Sequence, residues 1–298
     1  MQPRHYNDTN QQNPMSNLTH MIVFLITLLI FSSSGSHRKT PKEASTYHIY
    51  AQNTQKDTIR KVNSIPCPEN FNRFSPSNNS FGAYLQQYTL QPEGYSVHYY
   101  NGDTKQPSFH YAVLQQDIGN KNLQQCADAI MRLRADYWYQ QKKYDQIRFT
   151  FTNGTPALYS QWRQGYRPTV NGNQVTWSKK TQADSSYASY RSYLETVFTY
   201  CGTASLSKEL KSILPKDVTI GDVLIQGGHP GHAMIVVDMC IDAKGNKKVM
   251  LAQSYMPAQE THIVKNPAQA SSPWFDINVS TIYTSEWTFT SDQWKRFP

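Results

Sequence analysis

The chain has 298 residues, 38% hydrophobic, 17% charged and 13% aromatic, with 20 Tyr and a formal net charge of +8. That many aromatics with so few charges excludes an intrinsically disordered chain, and 14 Gly without a sustained heptad exclude collagen and coiled coil. One short apolar run excludes a polytopic membrane protein, and the length suffices to bury a sizeable core in one or two domains.

The apolar run is Met21 to Phe31, MIVFLITLLIF, followed by Ser32-Ser33-Ser34-Gly35-Ser36. It is shorter than the roughly 18–20 residues of a membrane span and stops in small residues, as a secretory h-region does. The flank before it is polar, with Arg4 and His20. Residues 1–36 are therefore expected to be a signal peptide, residues 37–66 a polar linker, and residues 67–298 a single domain. Export to the periplasm or extracellular space follows, with membrane contact confined to the signal segment if it stays uncleaved. Cys67, Cys126, Cys201 and Cys240 would then meet an oxidising compartment. Four cysteines are too few for a disulfide framework; one bridge is allowed, and the sequence does not assign it. No CxxC pair occurs, so neither a structural zinc nor any other cofactor is expected. The Lys and Arg are scattered, without a run of five or a nucleic-acid motif, so no nucleic-acid partner is expected.

In chain order, 81–88 predicts a short helix, and 95–100 and 109–115 two strands, with Asn101-Gly102-Asp103 as hairpin turn. A long helix follows over 123–143, with Asn120 or Asn122 as N-cap. Residues 147–152 alternate as a strand, and 153–185, rich in Asn, Gly, Thr and Trp, read as loop or irregular sheet. A helix over 187–201 carries Tyr187, Tyr190, Leu194, Val197, Phe198 and Cys201 on one stripe, and Gly202 stops it. A shorter helix over 206–214 ends before Pro215. The period then changes to two, giving strands over 220–226, 232–241 and 248–255, the last two joined by Ala243-Lys244-Gly245-Asn246. Helices first and an antiparallel sheet afterwards mean α+β.

Two segments concentrate chemistry. Gln124-Gln125-Cys126-Ala127-Asp128 opens the long helix, where the macrodipole and open N–H groups lower a thiol pKa. Gly231-His232 opens a strand after a glycine-rich turn, so the imidazole is a candidate base for Cys126 as nucleophile. The next strand offers Gln253 and Ser254 to orient the ring. They alternate faces, and the hairpin register decides between them, with Gln253 preferred. Gln125 is a candidate donor to an oxyanion. The structural alternative for Cys126 is a core position, since it shares an i, i+4, i+7, i+11 stripe with Ile130, Leu133 and Tyr137. Cys201 ends its helix, where the dipole penalises a thiolate; Cys240 alternates in a strand, and Cys67 sits between prolines. His229 and His232 have HxxH spacing, but Pro230 and Gly231 bar the helical two-His zinc arrangement. Ser205 to Lys208 matches SxxK without a following Lys-Thr-Gly. Asp128, Arg132, Arg134 and Asp136 have ion-pair spacing, and exposed Tyr and Trp in 159–200 suit either core or sugar stacking.

The strings LQQCADAIMRLRADY (123–137), YLETVFTYCGTASLSKEL (193–210), GDVLIQGGHPGHAMIVVD (221–238) and LAQSYMPAQE (251–260) resemble a family of exported bacterial proteins known as domain of unknown function 4846, which brings no activity with it. More remotely, the Gly-Asp strand followed by a Gly-His strand is similar to the histidine segment of papain-like cell-wall peptidases and amidases of the NlpC type. There a Cys starts a helix, a His starts a strand, and a polar residue on the next strand orients the His. Cys126, His232 and Gln253 match in order and element. The usual Asp-Cys-Ser is Gln-Cys-Ala here, and 106 positions separate Cys126 from His232, which makes 144–219 a large insertion. The resemblance implies a papain-like α+β fold with the long helix packed on the sheet.

The leading expectation is an exported thiol hydrolase cleaving amide bonds in the cell envelope, with peptidoglycan or another envelope polymer as partner. The alternatives are a non-catalytic envelope-binding module on the same scaffold, and a serine hydrolase using Ser254 or Ser205.

Overall fold

The computed structural model describes residues 60–298; the signal-peptide expectation and most of the linker lie outside them. The helices are α1 (Phe81–Gln86), α2 (Cys126–Gln140), α3 (Tyr159–Arg163), α4 (Tyr187–Tyr200) and α5 (Thr203–Glu209). The strands are β1 (Phe71–Arg73), β2 (His110–Val113), β3 (Arg148–Thr150), β4 (Pro156–Leu158), β5 (Tyr166–Asn171), β6 (Gln174–Lys179), β7 (Lys211–Ser212) and β8 (Val223–Gln226). They continue with β9 (His232–Asp242), β10 (Lys247–Gln253), β11 (His262–Val264), β12 (Trp274–Asp276), β13 (Thr281–Tyr283), β14 (Thr288–Thr290) and β15 (Trp294–Arg296).

The described residues form an α+β fold with one nine-stranded antiparallel sheet in the order β2-β11-β10-β9-β8-β15-β7. β1 adds to the end of β9 and β12 to the start of β10, and three further hairpins stand apart. β9 is buried from His232 to Cys240, so both its faces are covered. Its near-continuous run Ala-Met-Ile-Val-Val is what two covered faces demand. α2 packs across β9 and β10. Its stripe Cys126, Ile130, Leu133 and Tyr137 is buried as the spacing predicts, and truncating Ile130 or Leu133 to Ala would cost about 2–5 kcal/mol.

Several expectations need correction. The packed chain starts before Cys67, because Val62 and Ile65 lie in the core. Residues 95–100 form only isolated bridges, although Gly102 (φ +90°) makes the turn as read. Neither Asn120 nor Asn122 caps α2: Gln125 is the N-cap, and the Asn122 Oδ1 accepts from the Ala258 N–H (2.7 Å). The irregular segment contains the regular hairpin β5–β6, and α5 starts earlier than 206 and stops at Glu209. In α4 the stripe holds except at Tyr187, which is 55% exposed. After residue 260, where no element is predicted, β11, β12 and β15 finish the sheet and β13–β14 form a hairpin. Cys67 and Cys240 form the disulfide and fasten the start of the described chain to the end of β9.

Candidate active site

Cys126 is the first residue of α2, three positions after the predicted helix start and still in the first turn. The Gln125 N–H donates to the Asp128 carboxylate (3.1 Å), which places a negative charge in the first turn and satisfies one donor. The remaining first-turn N–H groups have no intrahelical acceptor by helix geometry. Ser254 ties the end of β10 to this point by donating to the Gln124 carbonyl (3.0 Å).

The choice between Gln253 and Ser254 turns on one irregularity. β9 and β10 pair Met250 with Asp238 but Leu251 with Val236, so Val237 is an extra residue on β9. Such a bulge moves the following residues to the other parity. Continued past Ala252–Ile235, the shifted register sets Gln253 and Tyr255 on the His232 face. Without the bulge, Ser254 would stand there. The His232 Nε2 meets the Gln253 Oε1 at 2.7 Å. The turn preceding His232 is fixed by close approach: a Cβ on Gly231 would lie 2.4 Å from the Thr203 Oγ1 and 2.6 Å from the Gly228 carbonyl oxygen.

Gln253 is itself held. Its Nε2 donates to the Glu286 carboxylate (2.6 Å) and lies 3.3 Å from the His262 Nε2. Lys105 Nζ reaches both Glu286 oxygens, at 2.6 and 2.7 Å, and the Gln259 Oε1 at 2.7 Å. A carboxylate only accepts, so the amide nitrogen must face Glu286 and the amide oxygen His232. An oxygen acceptor there requires the imidazole proton on Nε2. Burial, and then the Lys105 charge, push the His232 pKa down to about 4. The ring is therefore neutral at pH 7, and its Nδ1 carries the lone pair. His262, held by the Glu260 carbonyl at its Nδ1 (2.8 Å), is pushed down to about 3 by burial and Lys105. Burial also lowers the Lys105 ammonium, and Glu286 pulls it back up.

Tyr255 packs on His232 and senses Cys126 electrostatically. Its ring lies 4.8 Å from the His232 ring, and its hydroxyl pKa is raised by burial, by Glu286 and by Cys126. Trp287 and Phe289, on the β13–β14 hairpin, cover His232 at 5.3 and 5.9 Å. The result is enclosure: Cys126 is 7%, His232 1% and Gln253 1% exposed.

The remaining candidates fall elsewhere. Gln125 is buried; its Nε2 donates to the Asn122 Oδ1 (3.3 Å), and its Oε1 has no hydrogen-bond partner among the described residues. The Ser254 hydroxyl is buried and shares its one hydrogen between the Gln259 (2.7 Å) and Gln124 (3.0 Å) carbonyls, with no hydrogen bond to the imidazole. The Ser205 hydroxyl caps α5 by accepting from the Gly202 N–H (3.1 Å), and Lys208 is exposed. Cys201 is buried within the core. His229 is exposed while His232 is buried, and no group of three metal-ligating side chains occurs among the described residues. Arg132 pairs with Asp136 (2.7 Å), whereas Arg134 lies over the Phe81 and Trp138 rings.

Sequence reading missed Glu286, Lys105, His262 and the covering aromatics. Glu286 stands in a Thr-Ser-Glu-Trp turn, and Lys105 follows a hairpin turn, both ordinary settings for solvated charges. Their pairing spans 181 positions, and no local pattern carries it. Among the described residues, no helix is long and apolar enough to cross a membrane.

No curated protein matches the chain, and no solved structure does, so the papain-like likeness gains no support from comparison. The model of the family described as domain of unknown function (4846) matches residues 62–296, and the chain belongs to that family.

Proposed function

We propose that the chain is an exported thiol hydrolase that cleaves amide bonds, with an envelope polymer such as peptidoglycan as substrate. The observation that carries this is the 2.7 Å bond from the His232 Nε2 to Gln253, with the carboxamide pinned by Glu286. It leaves the Nδ1 as acceptor on the ring, the arrangement a general base needs. In the proposed reaction the Cys126 thiol gives its proton to the His232 Nδ1, and the sulfur attacks the amide carbonyl carbon. First-turn N–H groups of α2 stabilise the oxyanion. The C–N bond breaks as His232 protonates the departing amine, and water then hydrolyses the thioester with His232 as base. The order Cys at a helix start, His at a strand start and Gln on the next strand supports a papain-like reading of the fold. The Cys67–Cys240 bridge accords with an oxidising compartment.

The enclosure requires Tyr255, Trp287 and Phe289 to part before substrate enters. This same burial favours a second reading, a non-catalytic envelope-binding module that keeps the scaffold. The test is labelling with a thiol-reactive probe at neutral pH, mapped by peptide. The hydrolase reading expects Cys126 to label faster than a free model thiol and His232→Ala to slow it. Labelling no faster, and unchanged by His232→Ala, refutes it. The binding-module reading expects no turnover on peptide or ester panels, with ligand binding intact in Cys126→Ser. A phosphonate probe that leaves Ser254 and Ser205 unlabelled removes the serine alternative.

A further inference from the structure

A groove of about 1340 Å³ runs along α2, away from Cys126 and His232, and none of the hydrolase residues lines it. It exceeds the roughly 300–1,000 Å³ of a small-molecule pocket and has room for an oligomer. Tyr84 and Tyr88, whose rings meet edge to face at 5.6 Å, line it. So do Tyr139 and Tyr187, 6.1 Å apart, with Tyr139 stacked on Tyr190 at 4.1 Å. The buried Arg132–Asp136 pair completes this part of the lining. Arg132 Nη2 donates to the Tyr187 hydroxyl (3.2 Å), and Asp136 accepts from the Tyr190 hydroxyl (2.7 Å).

Tyr187 is thus 55% exposed and yet fixed in place. An apolar ring held in water by a buried guanidinium is a preformed platform for another flat apolar face. Around the rings stand the amides of Gln115, Gln140 and Gln141, which donate and accept. The charges lining the groove, Asp117 and Asp136 against Arg132 and Lys143, cancel. A nucleic acid or acidic polymer would find no net attraction there, because such binding rests on uncompensated cations. Flat apolar faces, many hydroxyl-matching amides and no net charge describe one ligand class.

We propose that this groove binds a neutral oligosaccharide, the sugar rings stacking on Tyr187 and the other lining tyrosines while the amides take the hydroxyl groups. This goes beyond the hydrolase reading and stands without it. The test is calorimetric titration of the full mature chain with chitohexaose, cellohexaose and maltohexaose. At least one is expected to saturate the protein, with affinity lowered about tenfold by Tyr187→Ala and retained by Tyr187→Trp. Gln140→Ala, at an exposed position, is expected to weaken the same sugar. Near-ultraviolet circular dichroism checks that each variant folds. No saturable binding of any of the three up to about 10 mM overturns the proposal. So does binding indifferent to both Tyr187→Ala and Gln140→Ala. Tighter binding of an oligogalacturonate than of every neutral sugar overturns it too, as does binding of penta-alanine in their place.

Discussion

The relay behind His232 rests on one buried ion pair, and removing half of it should be severe. In Glu286→Ala the Lys105 ammonium, whose side chain is 6% exposed, loses both carboxylate contacts and keeps only the Gln259 oxygen. Stripping one partner from a buried pair typically costs about 3–5 kcal/mol. Total stabilities are only about 5–15 kcal/mol, so this single change should consume a large share. Lys105→Met together with Glu286→Leu removes both charges and should recover most of the loss, since an apolar replacement of a buried pair is often near neutral. Urea unfolding of the wild type, Lys105→Met, Glu286→Leu and the double variant gives the coupling energy, expected at about 2 kcal/mol or more. Glu286 also pins Gln253, so nitrogen NMR of the His232 ring should show the proton confined to Nε2 in the wild type and shared between tautomers in Glu286→Ala. A coupling under about 0.5 kcal/mol with the tautomer unchanged would refute the relay.

Two further predictions concern acid and redox stability. His232 is held at about 4 against an ordinary 6.5, so below pH 6.5 the unfolded chain takes a proton that the fold refuses. Stability should therefore fall as pH drops from 6.5 to 4 and be insensitive above, with a slope of about 1.4 kcal/mol per unit from this ring. His232→Gln should remove that increment; parallel wild-type and variant stability curves between pH 7 and 4.5 would contradict it. Glu209, raised to about 7 by burial, acts with the opposite sign but equally in both proteins, so it cancels. Cys67 and Cys240 are 173 positions apart, and opening so long a loop in the unfolded chain should cost about 5 kcal/mol. Reductant, or Cys67→Ala with Cys240→Ala, should lower the urea midpoint accordingly; an unmoved midpoint would count against the bridge.

Much of the scaffold was legible because its information is local. The 3.6 period of α2 and α4, the Gly202 stop and the apolar run of β9 each follow from neighbours a few residues apart. The same locality set the limits. α2 is capped at Gln125 rather than at Asn122 because Asn122 is engaged with Ala258, a contact spanning 136 positions. The β5–β6 hairpin was missed although Asn171-Gly172 stands at its turn, since the strands beside it are half exposed and alternate weakly. The strands after 260 are three residues long, too short to show a period.

For the site, the amino-acid order alone put a cysteine at the front of a helix, a histidine at the front of a strand and a glutamine on the strand after it. It also fixed an α+β class through the switch of period near residue 220. Tertiary structure alone decided the rest. The extra residue Val237 rotates β9 so that the imidazole meets Gln253 and not Ser254, and the pairing of Lys105 with Glu286 turns the amide oxygen toward the ring. Both are long-range facts: a sheet register sums over every residue between two strands, and a buried charge is settled by whatever the fold brings opposite it.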